Sequence, residues 1–311
     1  MSAQPAHPDK RDDGFILVAV LWILGALATL VAVYSIYVSN TALALAVNDD
    51  VIRAESLVSA SVELAAYQLL KVPTEQRPTR GAFNFRMGRA GVSVDFRSEA
   101  SRVDLNEAPK ELLIGLFAGL GAHPDDAARY ADRVIAWRTK PTTGGQDRES
   151  SLYQAAGLAY GPRGAPYVHI EELWLVLGLP PALVERAMPY VTVFSGKAEV
   201  NAFDAAPEVV AALPGMTPER LNAFLAQRAT MARGDEAALA MLGPARSSAA
   251  ADGSDAVRVT VRIAFDNGRR SSAEAVILID EGSVPYRVLS WHSDIDTPSR
   301  SVIRAGLGVQ R

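Results

Sequence analysis

GFILVAVLWILGALATLVAVYSIYVSNTALALAV, residues 14–47, carries no charged side chain and follows a short charged leader, MSAQPAHPDKRDD. A helix needs about 20 consecutive apolar residues to cross a hydrocarbon core of about 30 Å. Residues 15–38 satisfy that length. The chain is therefore expected to hold one N-terminal membrane helix, with everything after it on one side of the bilayer. This reading excludes an ordinary cytosolic enzyme.

Three kinds of membrane segment fit such a run. A cleaved secretory signal has an apolar stretch of only about 7–15 residues before a small-residue cleavage site. This run is longer, although Ala26-Leu27-Ala28 and Ala42-Leu43-Ala44 imitate such sites. An ordinary signal anchor is the second reading, with Lys10 and Arg11 on the cytoplasmic side. The third starts from the junction Lys10-Arg11-Asp12-Asp13-Gly14-Phe15. A charged leader ending in Gly before a bulky apolar helix start resembles the type III signal of type IV pilins and pseudopilins. That resemblance implies cleavage by a prepilin peptidase between Gly14 and Phe15, and N-methylation of Phe15. Most members of the family have Glu at the fifth mature position, where this chain has Ala19. In the family that carboxylate pairs with a neighbouring subunit's N-terminus, and the minor pseudopilin K of type II secretion is the class that usually lacks it.

The rest of the chain is long enough for more than one domain. It has no Cys, which excludes disulfides and thiolate metal sites. Two of the 31 basic residues and five of the 35 acidic ones precede Val51, leaving 29 and 30. A nearly neutral ectodomain argues against nonspecific binding of nucleic acid.

Residues 49–72 have no Gly or Pro, and Val51, Leu57, Val58, Val62, Ala65 and Leu69 recur at helical steps. One helix over 15–72 would be about 85 Å long. Residues 73–91, rich in Pro, Gly and Arg, read as loop. Residues 91–97 alternate as a strand. After a long helical stretch, Val257, Val259, Val261, Ile263 and Phe265 alternate again. Asp266-Asn267-Gly268 is a hairpin turn, 273–280 a strand, 281–283 a turn and 286–292 a third strand. Residues 237–255, small and polar, read as a mobile linker.

Within the helical stretch, VDLNEAPKELL (103–113) aligns without gaps on VNAFDAAPEVV (200–210), an offset of 97 residues. Each copy places an Asn/Asp turn, a Pro in the first helical turn and an apolar stripe in that order. The second continues through Leu213-Pro214-Gly215-Met216-Thr217-Pro218 into another helix, and resembles the helix-hairpin-helix and SAM-like family. Between the copies, 127–138 predicts a helix with Ala131, Val134 and Ile135 inward, and 169–179 a helix ending in Gly. In order, SRVDLN (101–106), ADRVIAWR (131–138), APYVHIEELWLVLGL (165–179) and GKAEVNAFDAAPEVVAALPGM (196–216) resemble successive blocks of the pseudopilin K family.

That resemblance implies an α+β fold, a pilin-like long N-terminal helix plus antiparallel sheet, interrupted by a large all-α insertion with helix-hairpin-helix/SAM-like repeats. The boundaries expected are 1–14 leader, 15–72 N-terminal helix, 73–100 loop and first strand, 101–236 insertion, 237–255 linker and 256–311 sheet and tail. The repeats divide the insertion at about 195/196. The function implied is the tip subunit of the type II secretion pseudopilus, supporting export of folded proteins from the periplasm. It implies partners in the minor pseudopilins of types I and J, the major pseudopilin and the prepilin peptidase. It implies a single-pass place in the bacterial inner membrane with the C-terminal part periplasmic. Leu17, Val18, Leu21, Leu24 and Leu27 would pack against partner helices.

No enzyme motif is present: His7, His123, His169 and His292 are scattered, and no nucleophile elbow or phosphate loop occurs. Family members bind calcium in the insertion, and Asp147 and Glu149 are the candidate ligands here. Calcium takes six to eight oxygens, whereas Arg138-Thr139-Lys140 stands where the family often has acids, so a solvated loop is the competing reading. The alternative function is a membrane-anchored helix-hairpin-helix protein holding DNA. Only Arg220 and Arg228 are basic near its Gly turn, and changing both to Ala is expected to leave secretion intact.

Overall fold

The computed structural model describes residues 13–141, 148–228, 230, 236–280 and 284–294. The elements are α1 (Asp13–Leu70), β1 (Arg80–Met87), β2 (Ala90–Ser98), β3 (Val103–Asp104), α2 (Lys110–Gly119), α3 (Pro124–Arg138), α4 (Arg148–Ala155), α5 (Pro181–Ala187), β4 (Val191–Thr192), β5 (Val200–Asn201), α6 (Pro207–Ala211), α7 (Pro218–Gln227), α8 (Glu236–Ala240), β6 (Ala249–Ala250), β7 (Ala256–Phe265), β8 (Arg270–Ile279) and β9 (Tyr286–Asp294). The chain divides into two units, Met1–Ser56 and Leu57–Arg311, and α1 contributes residues to both.

In the first unit, the helical stretch Ile16–Thr41 is long and apolar enough to cross a membrane, and none of it is buried. Its hydroxyls turn back on the helix itself. Thr29 Oγ1 donates to Gly25 O at 2.8 Å and Thr41 Oγ1 to Tyr37 O at 2.9 Å. That satisfies polar groups which hydrocarbon would leave without partners. Beyond it, Asp49 and Arg53 pair one turn apart at 2.7 Å.

The second unit is built on an antiparallel sheet of five strands in the order β1-β2-β7-β8-β9. Its period-two pattern sets the faces: Val92, Val94, Phe96, Val257, Val259, Val261, Ile263, Ala275 and Ile277 are buried. The last four turns of α1 bury Leu57, Val58, Val62, Ala65 and Leu69 at helical spacing. Glu63 on this helix accepts the Tyr286 hydroxyl of β9 at 2.8 Å, so helix and sheet share one apolar layer. The strand expected at 91–97 does pair with the first strand of the C-terminal meander, Val92 opposite Ile263 and Val94 opposite Val261.

Four readings need correction. Residues 80–87, taken as loop, form β1, paired along its length with β2. Its inward Phe83 and Phe85 are separated by Asn84 and flanked by Gly and Arg, which hid the alternation of an edge strand. Residues 237–255 are not a loose linker. Ala238, Leu242 and Ala245 are fully buried, and β6 pairs in parallel with β5. Small residues there reflect tight packing rather than mobility. The insertion is not wholly α: β3–β4 and β5–β6 are two-residue parallel ladders. In addition, the helix expected over 169–179 is a short 3-10 turn, Ile170–Leu175.

The inserted block has its own apolar core, from Val103 to Ala249, around Phe117, Trp137, Tyr153, Leu173 and Phe224. Chain entry and exit lie side by side. Ser254 N donates to Ser98 Oγ at 2.8 Å, where β2 ends opposite β7.

Candidate functional site

The described residues offer no catalytic constellation, and the features that set this chain apart are an exposed apolar helix and the inserted block. Gly14 and Phe15 lie within α1, while the leader up to Asp12 is outside the described residues. Leu17, Val18, Leu21, Leu24 and Leu27 are all exposed, and Ala19 sits among them partly covered. Apolar side chains left bare along a helix are a surface for lipid or for other helices.

The insertion contains one structural device twice. In the first copy Asp104, at the end of β3, accepts Asn106 N on its Oδ1 at 2.8 Å. In the second, Asn201, at the end of β5, accepts Phe203 N on its Oδ1 at 3.0 Å. These Asx turns swing the chain from strand into helix. Each copy then has a helix, a Gly in the left-handed region (Gly121 at φ +96°, Gly215 at +74°), and a second helix opened by a Pro. An Arg closes each copy. Arg138 donates to Leu105 O at 2.6 Å and Ala108 O at 2.9 Å. Arg228 donates to Ala202 O at 3.1 Å and Ala205 O at 2.8 Å. The four carbonyls are equivalent pairs in the sequence alignment. Burial, the larger cause in each case, lowers the pKa of both guanidinium groups from the usual arginine value.

Arg228 thus holds two carbonyls of buried residues. Arg220 Nη1 reaches only Gly215 O, at 3.3 Å. Its two bonds withdraw Arg228 from phosphate contact, which weakens the case for the cation cluster a DNA backbone needs. Sequence reading treated Arg138 only as a residue unsuited to calcium. The alignment of 103–113 on 200–210 stops short of it; the local signal was an Arg at the end of the second helix of both copies.

Between the copies, Glu172 ties the Gly/Pro loop to α3. Its carboxylate accepts Trp137 Nε1 at 2.9 Å and Val168 N at 2.8 Å, and faces Arg163 at 3.2 Å. Burial pushes its pKa up, but the Val168, Trp137 and His169 donors and Arg163 outweigh burial and hold it below the usual carboxylate value. Tyr153 and Tyr167 flank Trp137 at 6.1 and 6.3 Å between ring centres.

The calcium candidates do not assemble among the described residues. Glu149 is engaged by Arg133 at 2.6 Å, and Asp147 lies outside them. No group of three or more His, Cys, Asp or Glu among the described residues is placed to hold a metal.

At the root of the insertion, Glu99 is buried and receives Arg258 of β7 in a two-pronged pair, at 2.7 and 2.9 Å. The same Glu99 accepts the hydroxyl of Thr192 on β4, and Arg258 also reaches Glu274 on β8. The fork-to-fork pair and the Thr192 bond thus tie sheet to insertion at this point.

Residues 94–196 match the family described as type II secretion system (T2SS), protein K. The fold is similar to that of a chain in the crystal structure of the GspK-GspI-GspJ complex from the type 2 secretion system of enterotoxigenic Escherichia coli. The TM-score is 0.54 at 16% identity, over 78% of this chain and 94% of that one. No curated protein matches the sequence.

Proposed function

We infer, from the type II secretion protein K domain that residues 94–196 carry, that this chain is a minor pseudopilin which caps a short pseudopilus and supports protein export. The single observation carrying this reading is that match, which begins within the sheet at β2 and runs deep into the insertion. The chain's role is assembly rather than catalysis. Its apolar helix rests in the bacterial inner membrane, with Lys10 and Arg11 favouring a cytoplasmic N-terminus and a periplasmic C-terminal part. A prepilin peptidase would cut between Gly14 and Phe15 and the new Phe15 amine would be methylated.

Leu17, Val18, Leu21, Leu24 and Leu27 would then pack against helices of minor pseudopilins of types I and J and of the major pseudopilin. Ala19 supports a terminal position, since it offers no carboxylate to a neighbour's N-terminus. The bulk of the insertion supports the same end. Its two helix–Gly turn–helix copies are read as helix-hairpin-helix/SAM-like repeats kept as scaffold.

The test is co-purification of the full-length chain with candidate I- and J-type pseudopilins from detergent-solubilised membranes, beside mass spectrometry of its N-terminus. A stable complex and a methylated Phe15 terminus are expected. An intact Met1 terminus in cells with active prepilin peptidase, with no pseudopilin recovered, would overturn the reading.

A further inference from the structure

Where the polar face of the sheet passes beside the inserted block there is a cleft of about 550 Å³. Five arginines line it, Arg80, Arg97, Arg102, Arg258 and Arg262, against three carboxylates, Asp95, Glu99 and Glu274. Four of the arginines are engaged. Arg258 is held by Glu99 and Glu274, and Arg262 pairs with Asp95 at 2.7 Å. Arg80 lies 3.1 Å from the buried carboxylate of Asp204, behind the wall, and Arg97 donates to the Asp204 carbonyl at 3.3 Å. With Asp204 counted, one positive charge remains uncompensated.

Of the two guanidinium groups in the cleft with no carboxylate partner, Arg97 spends a hydrogen bond on a carbonyl and Arg102 spends none. Arg102 is partly buried, at the step from the sheet into β3, and its side chain makes no ion pair or hydrogen bond among the described residues. Burial first, and then the nearby Arg258 guanidinium, lower its pKa from the ordinary arginine value. A cation drawn from water beside another cation is costly unless an anion joins it.

We propose that this cleft binds an acidic peptide segment and that Arg102 is the guanidinium that receives its carboxylate. Two features favour a peptide over a bare inorganic ion. The volume falls in the range of about 300–1,000 Å³ typical of organic ligand sites. The walls also include Ala82, Phe96, Pro189 and Val209, which suit the apolar body of a chain. The cleft's other guanidinium groups already show the preferred partner, since Arg258 grips Glu99 by two parallel bonds. The inference stands independently of where in a fibre the chain sits.

The experiment uses the full-length protein in detergent micelles and a fluorescein-labelled Gly-Ser-Glu-Asp-Gly-Ser peptide followed by anisotropy. Binding is expected, weakened by added salt. The Gln-Asn version of the peptide, and Arg102→Gln with the original peptide, should each bind at least about tenfold more weakly, the loss that a charge-assisted pair predicts. Acetate should compete and phosphate should do no better. Absence of binding, equal binding of the Gln-Asn peptide, or an unchanged Arg102→Gln variant would overturn the proposal. So would displacement by phosphate at concentrations where acetate is inert, which marks a phosphate site. If Arg102→Gln fails to fold, phenylglyoxal labelling of the wild type, read residue by residue by mass spectrometry, decides: modification of Arg102 should fall when the acidic peptide is bound while that of an exposed residue such as Arg129 is unchanged, and lack of protection at Arg102 counts against the site.

Discussion

Arg138 and Arg228 show how a single side chain can close a motif. A carbonyl buried without a donor costs free energy, and a hydrogen bond from a charged group contributes about 1.5–3 kcal/mol. Arg228→Ala removes the donor to Ala202 and Ala205 and should destabilise the protein by about that amount. Arg220→Ala touches only one exposed carbonyl and should stay within about 0.5 kcal/mol of wild type. Denaturant unfolding of the two variants checks the difference; equal effects would show that the Arg228 bonds add nothing. Glu172 gives a pH-dependent counterpart. Its folded pKa lies below its unfolded value, so its contribution is complete above the unfolded value of about 4.3 and is lost as pH falls through the folded one. Glu172→Gln should therefore cost about 2 kcal/mol at pH 7. The gap to wild type should shrink once the pH is below the folded value. Paired melts across that window would expose a gap that does not depend on pH, and with it a role unrelated to charge.

At the scale of elements, α2 and α6, the first helices of the two copies, meet at Gly115. A Cβ built there would lie 2.0 Å from the Ala212 carbonyl oxygen, a backbone atom that cannot swing away. Gly in a helix interior is otherwise unfavourable by about 0.5–1 kcal/mol, so the close approach explains its presence. Gly115→Ala gains helix propensity but must push the helices apart. The net expectation is a loss of about 1–3 kcal/mol, read as a lower unfolding midpoint; an unchanged or higher midpoint would refute the contact.

The sequence alignment located both copies, because Asp104 and Asn201, a Pro at the head of each following helix and the apolar residues after it are local signals. It could not show the Gly115 approach, which depends on a residue 97 positions away. The C-terminal strands were legible for a similar local reason, since Val257 to Ile263 alternate without interruption. β1 was not, because as an edge strand it leaves Arg80, Asn84 and Arg86 in water and buries little. The packed segment around Leu242 escaped too, since alanines and serines carry almost no periodic signal. In the candidate cleft nothing in the sequence singled out Arg102, whose meaning comes only from which neighbouring arginines are already paired.

On the scale of the whole chain, the Leu57–Arg311 unit holds two apolar cores. One lies between α1 and the sheet, and the other is closed within residues 103–249. They are bridged by polar contacts, Glu99 with Arg258 and Thr192, and Thr79 and Arg80 with Asp204. The chain also leaves and re-enters the sheet at adjacent points, because Ser98 opposes Val257 in the ladder and receives Ser254 N. Loop-closure entropy grows only slowly with loop length, so replacing the insertion by a short turn should not weaken the pairing of β2 with β7. Deleting residues 101–255 and joining the ends with a short Gly-Ser turn should leave the sheet folded on the end of α1, as a chain with strand signal by circular dichroism and one cooperative melt. The bare Glu99–Arg258 pair would then lie in water and contribute at most about 1 kcal/mol. The deleted protein should melt lower than wild type while still melting as a unit. A product without strand signal, or one that melts without cooperativity, would mean that the sheet depends on the inserted block for its own folding.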